Sequence, residues 1–167
     1  EAVKTAAQAK SDELLSKATD AFNKAVELKS DYAAAHFNLA LALDRQGKLP
    51  EAISKMESVV RMNPQDVGVG FQLALLYFRN EEKDKAIQLM ESVVRLSPNF
   101  SNARWYLAAM YEDAGQYDKA IAEIQKVKEL NPDNQLVEKK LSDLGIRKAG
   151  GTPPGTSELP MPVEQPM

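Results

Sequence analysis

The hexapeptide MESVVR occurs twice in this chain, at Met56–Arg61 and at Met90–Arg95, so the sequence repeats with a period of 34. A fixed period of this length predicts an array of repeated structural units. Four further rows of residues keep the same period without an insertion. They are Pro64, Pro98 and Pro132; Ala52, Ala86 and Ala120; Leu39, Leu73 and Leu107; and Ala40, Ala74 and Ala108.

Each period is predicted to fold as two short helices. In the second complete unit, apolar residues recur at helical spacing over 69–77, stop at the polar run 80–85, and resume over 86–94. Pro98 then disfavours helical geometry at the residue before it and closes the unit.

Small residues predict how the two helices of a unit fit together. Gly47 and Gly115 lie in the predicted turns, and Pro50 begins a second helix, where its missing N–H costs nothing. Antiparallel helices approach closely only where both carry small side chains. We therefore expect Ala40 to face Ala52, and the equivalent alanines to meet in the next two units.

The pattern resembles the tetratricopeptide repeat (TPR), a 34-residue helix–turn–helix with a large residue, Leu–small, an aromatic, Ala, a large apolar residue and Pro at fixed offsets. The stretch WYLAAMYEDAGQYDKAIAEIQKVKELNP, Trp105–Pro132, matches it most closely, and the resemblance covers Ala33 to Pro132 as three complete units. It implies an all-α fold, a right-handed α-solenoid of TPR helix-turn-helix repeats with a C-terminal capping helix.

The repeat and the composition together predict the organisation of the chain. Residues 1–32 form a partial or degenerate first repeat, whose first helix would be the weakly apolar stretch EAVKTAAQAKSDE. A capping helix with one apolar side shields the last repeat from water, and a proline-rich segment after it forms a flexible tail. The predicted parts are 1–32, the complete repeats 33–66, 67–100 and 101–134, the capping helix 135–146 and the tail 147–167.

Composition and charge limit the classes of function. The chain is 44% hydrophobic and 27% charged with a net charge of −3, which is ordinary for a soluble protein and unlike the basic footprint of a nucleic-acid binder. The absence of cysteine excludes disulfides and thiolate chemistry. No apolar run is long enough for a membrane helix, and the start at Glu1 instead of Met indicates a processed or excised segment. We expect a soluble segment, cytoplasmic or tethered to a bacterial membrane by a missing upstream part.

No set of residues predicts catalysis. The single histidine, His36, has no second His or Cys to join it in a metal site or a proton relay. It occupies the row that Gly70 and Arg104 fill in the later repeats, which favours a structural role. We therefore expect a protein that is not an enzyme and that needs no metal and no cofactor.

An aromatic and apolar stripe follows the first helices of the three repeats. It is rotated by more than 100° from the side that faces the partner helix, since each residue turns the helix by 100°. One interpretation is that Phe37, Phe71 and Trp105 form inter-repeat core, as such stripes usually do. The other is that their outer faces form the floor of a peptide-binding groove, because three open aromatics exceed the apolar patch that monomers normally expose.

The groove interpretation also includes a glycine, whose missing side chain would admit a ligand backbone, and polar residues at the rim. Arg45 and Arg79 repeat with the period and would meet an acidic or C-terminal group. The predicted groove residues are Phe37, Asn38, Leu41, Arg45, Gly68, Phe71, Gln72, Leu75, Phe78, Arg79, Trp105 and Tyr106.

The predicted function is that of a non-catalytic scaffold that binds a peptide segment of a partner protein in the concave groove. TPR proteins that hold acidic chaperone tails use Lys and Asn at inner positions where this chain has Phe37 and Leu41, so the resemblance favours an apolar peptide. The tail, which includes ELPMPVEQPM, is a candidate ligand of the same or a neighbouring molecule. The alternative is the soluble TPR tail of a larger membrane-anchored bacterial cell-envelope protein, similar to O-antigen-ligase-like proteins.

Overall fold

Within residues 5–154, which the computed structural model describes, the chain forms eight α-helices and no strand. The helices begin at regular intervals, because α2, α4, α6 and α8 each start one sequence period after the last. The bounds are α1 Ala6–Leu28, α2 Ala33–Arg45, α3 Leu49–Met62, α4 Val67–Arg79, α5 Lys83–Leu96, α6 Ser101–Asp113, α7 Tyr117–Leu130 and α8 Gln135–Lys148.

The turns between paired helices depend on one residue with a left-handed backbone. Gly47 has φ +75° and Gly115 has φ +71°. The residue after each glycine donates its backbone N–H to the carbonyl five residues earlier, which is the hydrogen bond that closes a helix at a left-handed residue. In the middle repeat the same position is Glu81, with φ +60°. Glycine adopts this conformation at no steric cost, whereas glutamate is strained there.

The structure consists of two compact units, one ending at Glu82 and the other beginning at Lys83. In the first unit, α1 packs against α2, α2 against α3, and α3 against α4. Ala40 and Ala52 are fully buried, together with Leu39 and Met56. Small and large side chains thus alternate in the contact between α2 and α3, as the alanine rows predict.

The second unit repeats this arrangement. In it, α5 packs against α6, α6 against α7, and α7 against α8. Ala108 and Ala120 are fully buried between large neighbours such as Ile124. On α8, Val137 and Leu144 are fully buried, so one side of this helix covers α7.

The repeated hexapeptide has a structural role at almost every position. Met56 is fully buried, and the carboxylate of Glu57 accepts a hydrogen bond of 2.7 Å from the Tyr77 hydroxyl of the next hairpin. In the second copy, Glu91 accepts the equivalent bond of 2.5 Å from Tyr111. Burial, followed by the bond to the glutamate, raises the pKa of both tyrosines far above its ordinary value of 10.0.

The remaining polar residues of the hexapeptide tie it to its own helix. In the first copy, the Ser58 hydroxyl donates to the carbonyl of Ser54 and accepts from the Arg61 guanidinium. Ser92 and Arg95 form the same bonds in the second copy. The two copies therefore mark the junctions between repeats and not a chemical site.

Two expectations about the ends differ from the structure. Residues 1–4 of the predicted first helix lie outside the described residues, and residues 6–13 do not form a separate helix, because α1 runs continuously from Ala6 to Leu28. No glycine or proline interrupts the sequence near residue 13, so nothing there favours a turn. At the other end, α8 extends past the predicted limit of 146, to Lys148. Residues 155–167 of the predicted tail lie outside the described residues.

Across residues 5–154, none of the helices has both the length and the apolar character that a bilayer crossing needs.

Candidate functional site

A pocket of about 440 Å³ lies between α2, α3 and α4 of the first unit. Four of the predicted groove residues, Phe37, Asn38, Gly68 and Gln72, line it. Small side chains at the start of α2 leave the space open beside the Phe37 ring. The complete lining is Ala33, Ala34, Phe37, Asn38, Val59, Asp66, Gly68, Val69 and Gln72.

The lining residues that the groove prediction missed come from three places. Ala33 and Ala34 form the first turn of α2, Val59 belongs to the buried row of α3, and Val69 is a core residue of α4. The run Ala33–Ala35 is the signal that sequence reasoning overlooked, because three consecutive small residues at a helix start leave a neighbouring aromatic ring uncovered.

The acidic residue of the pocket belongs to the start of α4. Asp66 is the N-cap of that helix, and its Oδ1 accepts a hydrogen bond of 3.0 Å from the Val69 N–H. Gly68 lies beside this cap, and a Cβ added there would be 3.3 Å from the same carboxylate oxygen. A larger residue at Gly68 would therefore crowd the cap and occupy part of the pocket that this glycine lines.

The two carboxamides of the pocket occupy equivalent positions on neighbouring first helices. Asn38 lies on α2, and Gln72 lies one sequence period later on α4. Asn38 is exposed and Gln72 is half-buried. Neither side chain forms a hydrogen bond with any residue that the structure describes. Both therefore present donors and acceptors to the space above the pocket.

The other apolar groove residues of the first unit are partly open. Leu41 on α2 and Phe71, Leu75 and Phe78 on α4 are all half-buried. They belong to the predicted stripe but do not line the pocket itself. Their half-burial is compatible with both the core interpretation and the groove interpretation, since each side chain is packed in part and accessible in part.

The two predicted rim arginines differ from each other. The Arg79 guanidinium lies 2.7 Å from Asp44 Oδ1 and donates a bond of 2.9 Å to Asp44 Oδ2, so this arginine already has an acidic partner within the chain. Arg45 is exposed and forms no ion pair with the residues from 5 to 154. Of the two, Arg45 is the cation that remains available for a ligand.

One of the two predicted groove residues of the second unit is buried. Trp105 is 5% exposed, so its ring has almost no free face to offer a ligand. For this residue the core interpretation fits, and the groove interpretation does not. Tyr106, next to it on α6, is half-buried.

His36 has a structural environment. It is 7% exposed, and its Nε2 lies 2.9 Å from the carbonyl oxygen of Ser30 in the preceding loop. Arg104, in the same row of the third repeat, donates from Nε to the equivalent carbonyl of Pro98 at 2.7 Å. The row therefore holds the start of a first helix against the loop before it. In the part of the chain that is described, no three His, Asp or Glu side chains are grouped to hold a metal ion.

Two family models of the tetratricopeptide repeat match the chain, one over residues 13–67 and the other over residues 84–144. Together they cover more than half of its length. No curated protein matches the chain in a comparison of sequences.

Solved structures share the fold at low sequence identity. A crystal structure of MamA is 19% identical with a TM-score of 0.75, covering 89% of this chain and 87% of that chain. YrrB, described as a TPR protein with an unusual peptide-binding site, is 21% identical with a TM-score of 0.72, covering 84% and 72%. The first TPR of Spaghetti (RPAP3), solved bound to the HSP90 peptide SRMEEVD, is 21% identical with a TM-score of 0.64, covering 70% and 93%.

The helix pairs, their regular spacing and these matches agree with one another. The chain has an all-α helical-repeat fold and belongs to the tetratricopeptide-repeat family.

Proposed function

We propose that this protein is a non-catalytic interaction scaffold that binds an extended, largely apolar peptide segment of a partner between α2 and α4. The observation that carries the proposal is the pocket of about 440 Å³ beside Phe37, with the half-buried Leu41 and Phe71 on the same two helices. Peptide binding by YrrB and by the first TPR of RPAP3 supports this class of function.

The pocket favours an apolar side chain of the ligand. Phe37, Val59 and Val69 supply an apolar surface, and the small Ala33 and Ala34 leave the depth that a side chain needs. Fully burying one Leu or Met side chain contributes about 1.5–3 kcal/mol, which is enough to anchor a peptide of otherwise modest affinity. The ligand is therefore expected to carry a Leu- or Met-sized residue at one fixed position.

The carboxamides favour an extended ligand backbone. Asn38 and Gln72 each carry one acceptor and two donors, the same groups that a peptide bond needs for pairing. Because these bonds address the main chain, they hold a peptide in place without selecting its side chains. The apolar pocket then supplies the selection.

Charge disfavours an acidic peptide at the pocket. None of the lining residues is basic, and Asp66 places a carboxylate at its edge. The peptide SRMEEVD, which the RPAP3 domain binds, is acidic toward its end. We therefore expect this chain to select a neutral or weakly basic segment, with Arg45 available to a carboxylate farther along α2.

A peptide-display library supplies the test. Peptides selected on the wild-type chain are synthesised with a fluorophore, and their affinities are measured by anisotropy for Phe37→Ala and Gly68→Gln. The first change removes an apolar side chain that lines the pocket, and the second adds a side chain at a lining glycine. Each is expected to weaken binding by about tenfold or more, the effect of losing a central contact of an interface.

Matched substitutions away from the pocket control for general effects on the fold. Leu28→Ala truncates an 80% exposed side chain on α1, and Gly145→Gln lengthens a helical glycine that has open space around it. Both are expected to bind the selected peptides as the wild type does. Equal affinity of the wild type and Phe37→Ala, with the helix content of both intact, would show that the peptides bind elsewhere.

A further inference from the structure

The surface between α2 and α4 has two distinct ends. The starts of both helices line the pocket, where Phe37 of α2 lies with Gly68 of α4. The ends of both helices meet in the ion pair of Asp44 with Arg79, whose charged atoms lie 2.7 Å apart. Helices α2 and α4 therefore run in the same direction, and a groove between them leads from the pocket to this ion pair.

The pocket end of the groove carries a negative charge without a cationic partner. Asp66 lines the pocket and is exposed, and its Oδ1 accepts a hydrogen bond of 3.0 Å from the Val69 N–H. No Lys or Arg of the described residues forms an ion pair with this carboxylate. A carboxylate accepts several hydrogen bonds at once, so Asp66 can cap α4 and also receive a cation of a ligand.

The far end of the groove carries a positive charge. Arg45 is the last residue of α2 and is exposed. The neighbouring Asp44 is already paired with Arg79, so the charges of those two residues cancel. No carboxylate within residues 5–154 pairs with Arg45. The groove is therefore dipolar, with its negative end at the pocket and its positive end at the end of α2.

The repeat itself does not require these two charges. One sequence period or more later, the residue equivalent to Asp66 is Asn134, which caps α8 without a charge. The residue of the second unit equivalent to Arg45 is Asp113, which is acidic and lies 2.8 Å from Lys83. Since the second unit folds with an uncharged cap and a paired carboxylate, the dipolar pair belongs to the first unit and not to the packing of a repeat.

The length of α2 sets the distance between the two charges. The helix has 13 residues, and at about 1.5 Å per residue it is about 20 Å long. An extended peptide advances about 3.3 Å per residue, so it covers this length in about six residues. The pocket lies near the negative end, so an apolar anchor would follow the ligand cation by about two residues and precede the anion by about four.

We propose that the segment bound in this groove is zwitterionic, with a basic and an acidic side chain about six residues apart and a Leu- or Met-sized anchor nearer the basic one. This inference rests on the proposed function, because it names the chemistry of the peptide that the groove binds. A partner protein does not have both of its termini within six residues of each other, so the proposal assigns both charges to side chains of an internal segment.

Two fluorophore-labelled probes with blocked termini test the charge order. The first contains KSLTSSE, and the second contains the charge-swapped sequence ESLTSSK. Their composition, net charge and leucine position are identical, and in either chain direction the residue near the leucine lies at Asp66. Exposed ion pairs contribute modestly, but the swap replaces two attractions by two repulsions, so we expect the second probe to bind the wild-type chain about tenfold more weakly in anisotropy titrations.

Salt and spacing give two further measurements. The difference between the probes is expected to shrink at 1 M salt, where the screening length falls to about 3 Å. A third probe, KSLESST, has the composition of the first but carries its acidic residue next to the leucine. It cannot reach Arg45 from the pocket and is expected to bind about threefold more weakly than KSLTSSE.

Variants of the full chain assign each charge to its residue. Arg45→Glu is expected to bind KSLTSSK better than KSLTSSE, the reverse of the wild-type preference. Asp66→Asn keeps a side-chain oxygen for the cap of α4 and is expected to lose the preference for KSLTSSE over ESLTSSE. Arg95→Glu and Asp133→Asn make the same changes at exposed positions of the second unit and are expected to keep the wild-type preferences. Circular dichroism checks that the helix content of all variants is intact.

The outcomes separate this inference from the proposed function. Probes that lose affinity in Phe37→Ala but bind the wild type equally in either charge order would overturn the inference and leave the pocket as the binding site. An Arg45→Glu variant that keeps the wild-type preference would also overturn it. Binding that is unchanged in Phe37→Ala, or no binding of any probe at millimolar wild-type chain, would overturn the inference together with the proposed function.

Discussion

Replacing Tyr77 with phenylalanine removes a bond between successive hairpins without removing the ring. The Tyr77 hydroxyl donates to Glu57 at 2.7 Å, and the tyrosine is 9% exposed. Hydrogen bonds to charged groups contribute about 1.5–3 kcal/mol to stability. The Glu57 side chain is 35% exposed and regains water when the hydroxyl is lost, so we expect a loss at the lower end of this range, about 1.5 kcal/mol.

Urea denaturation followed by circular dichroism measures this loss, and a thermal melt of a chain of this size should shift by about 3–6 °C. Fluorescence of the single tryptophan, Trp105 on α6, reports on the second unit separately. Repeat proteins lose stability locally as well as globally. Tyr77→Phe should therefore lower the urea midpoint measured by circular dichroism at least as much as the midpoint measured by tryptophan fluorescence.

A double-mutant cycle with Glu57→Ala isolates the bond from the packing of the ring. The two single variants and the double variant should show a coupling free energy of about 1 kcal/mol or more. Tyr32→Phe serves as the matched control, because Tyr32 is 47% exposed and a surface substitution changes stability by less than about 0.5 kcal/mol. A coupling energy of zero would refute the assignment of the hexapeptide glutamates to the repeat junctions.

Three further changes test the differences between repeats by the same denaturation assay. Glu81→Gly should stabilise the chain by about 1 kcal/mol because glycine relieves the left-handed strain, whereas Gly115→Ala should destabilise it by a similar amount. Above pH 10 the unfolded state releases the protons of Tyr77 and Tyr111, which the folded state keeps because the pKa of both is raised. The free energy of unfolding should therefore fall by up to about 1.4 kcal/mol per pH unit for each of these tyrosines. The fall should be less steep when both are replaced by phenylalanine. In the third repeat, Arg104 forms an ion pair of 2.5 Å with Glu123, and the equivalent positions in the first complete repeat are His36 and Lys55. His36→Arg should therefore destabilise the chain because the new cation lies opposite Lys55, and adding Lys55→Glu should recover about 1 kcal/mol or more by recreating that ion pair. A double variant no more stable than His36→Arg would contradict the equivalence of the rows.

The helix pairs were predictable from the sequence because each was marked by several independent signals. The alanine rows specify which sides of two helices approach, and Ala40 and Ala52 are both fully buried in the observed contact. The turn glycines specify where the chain reverses, and Gly47 and Gly115 have the left-handed backbone that a reversal needs.

The length of the first helix was harder to predict, because it depends on the absence of any helix-ending residue in the middle of this segment. The period predicted that a first helix of the partial repeat ends near residue 13, but the local sequence contains no residue that ends a helix there. The helix preference of the local sequence therefore prevails over the period, and α1 continues through the expected turn to Leu28.

The groove was predictable as a stripe but not residue by residue. Phe37 and Trp105 occupy the same row, yet the first is half-buried beside a pocket and the second is 5% exposed. Their neighbours differ, because α2 begins with Ala33 and Ala34 where α6 begins with Ser101 and Asn102. The period specifies the direction of a side chain, but its exposure depends on the volume of the residues around it.

The Tyr–Glu bond of the repeat junctions is not present at every junction between successive hairpins. The Tyr–Glu bond joins α3 to α4 and α5 to α6, whereas the equivalent positions at the first and last junctions hold Asn23 with Leu43 and Gln125 with Gly145. The junctions of α1 with α2 and of α7 with α8 therefore hold their helices together by packing alone at these positions, because neither residue pair can form the Tyr–Glu bond.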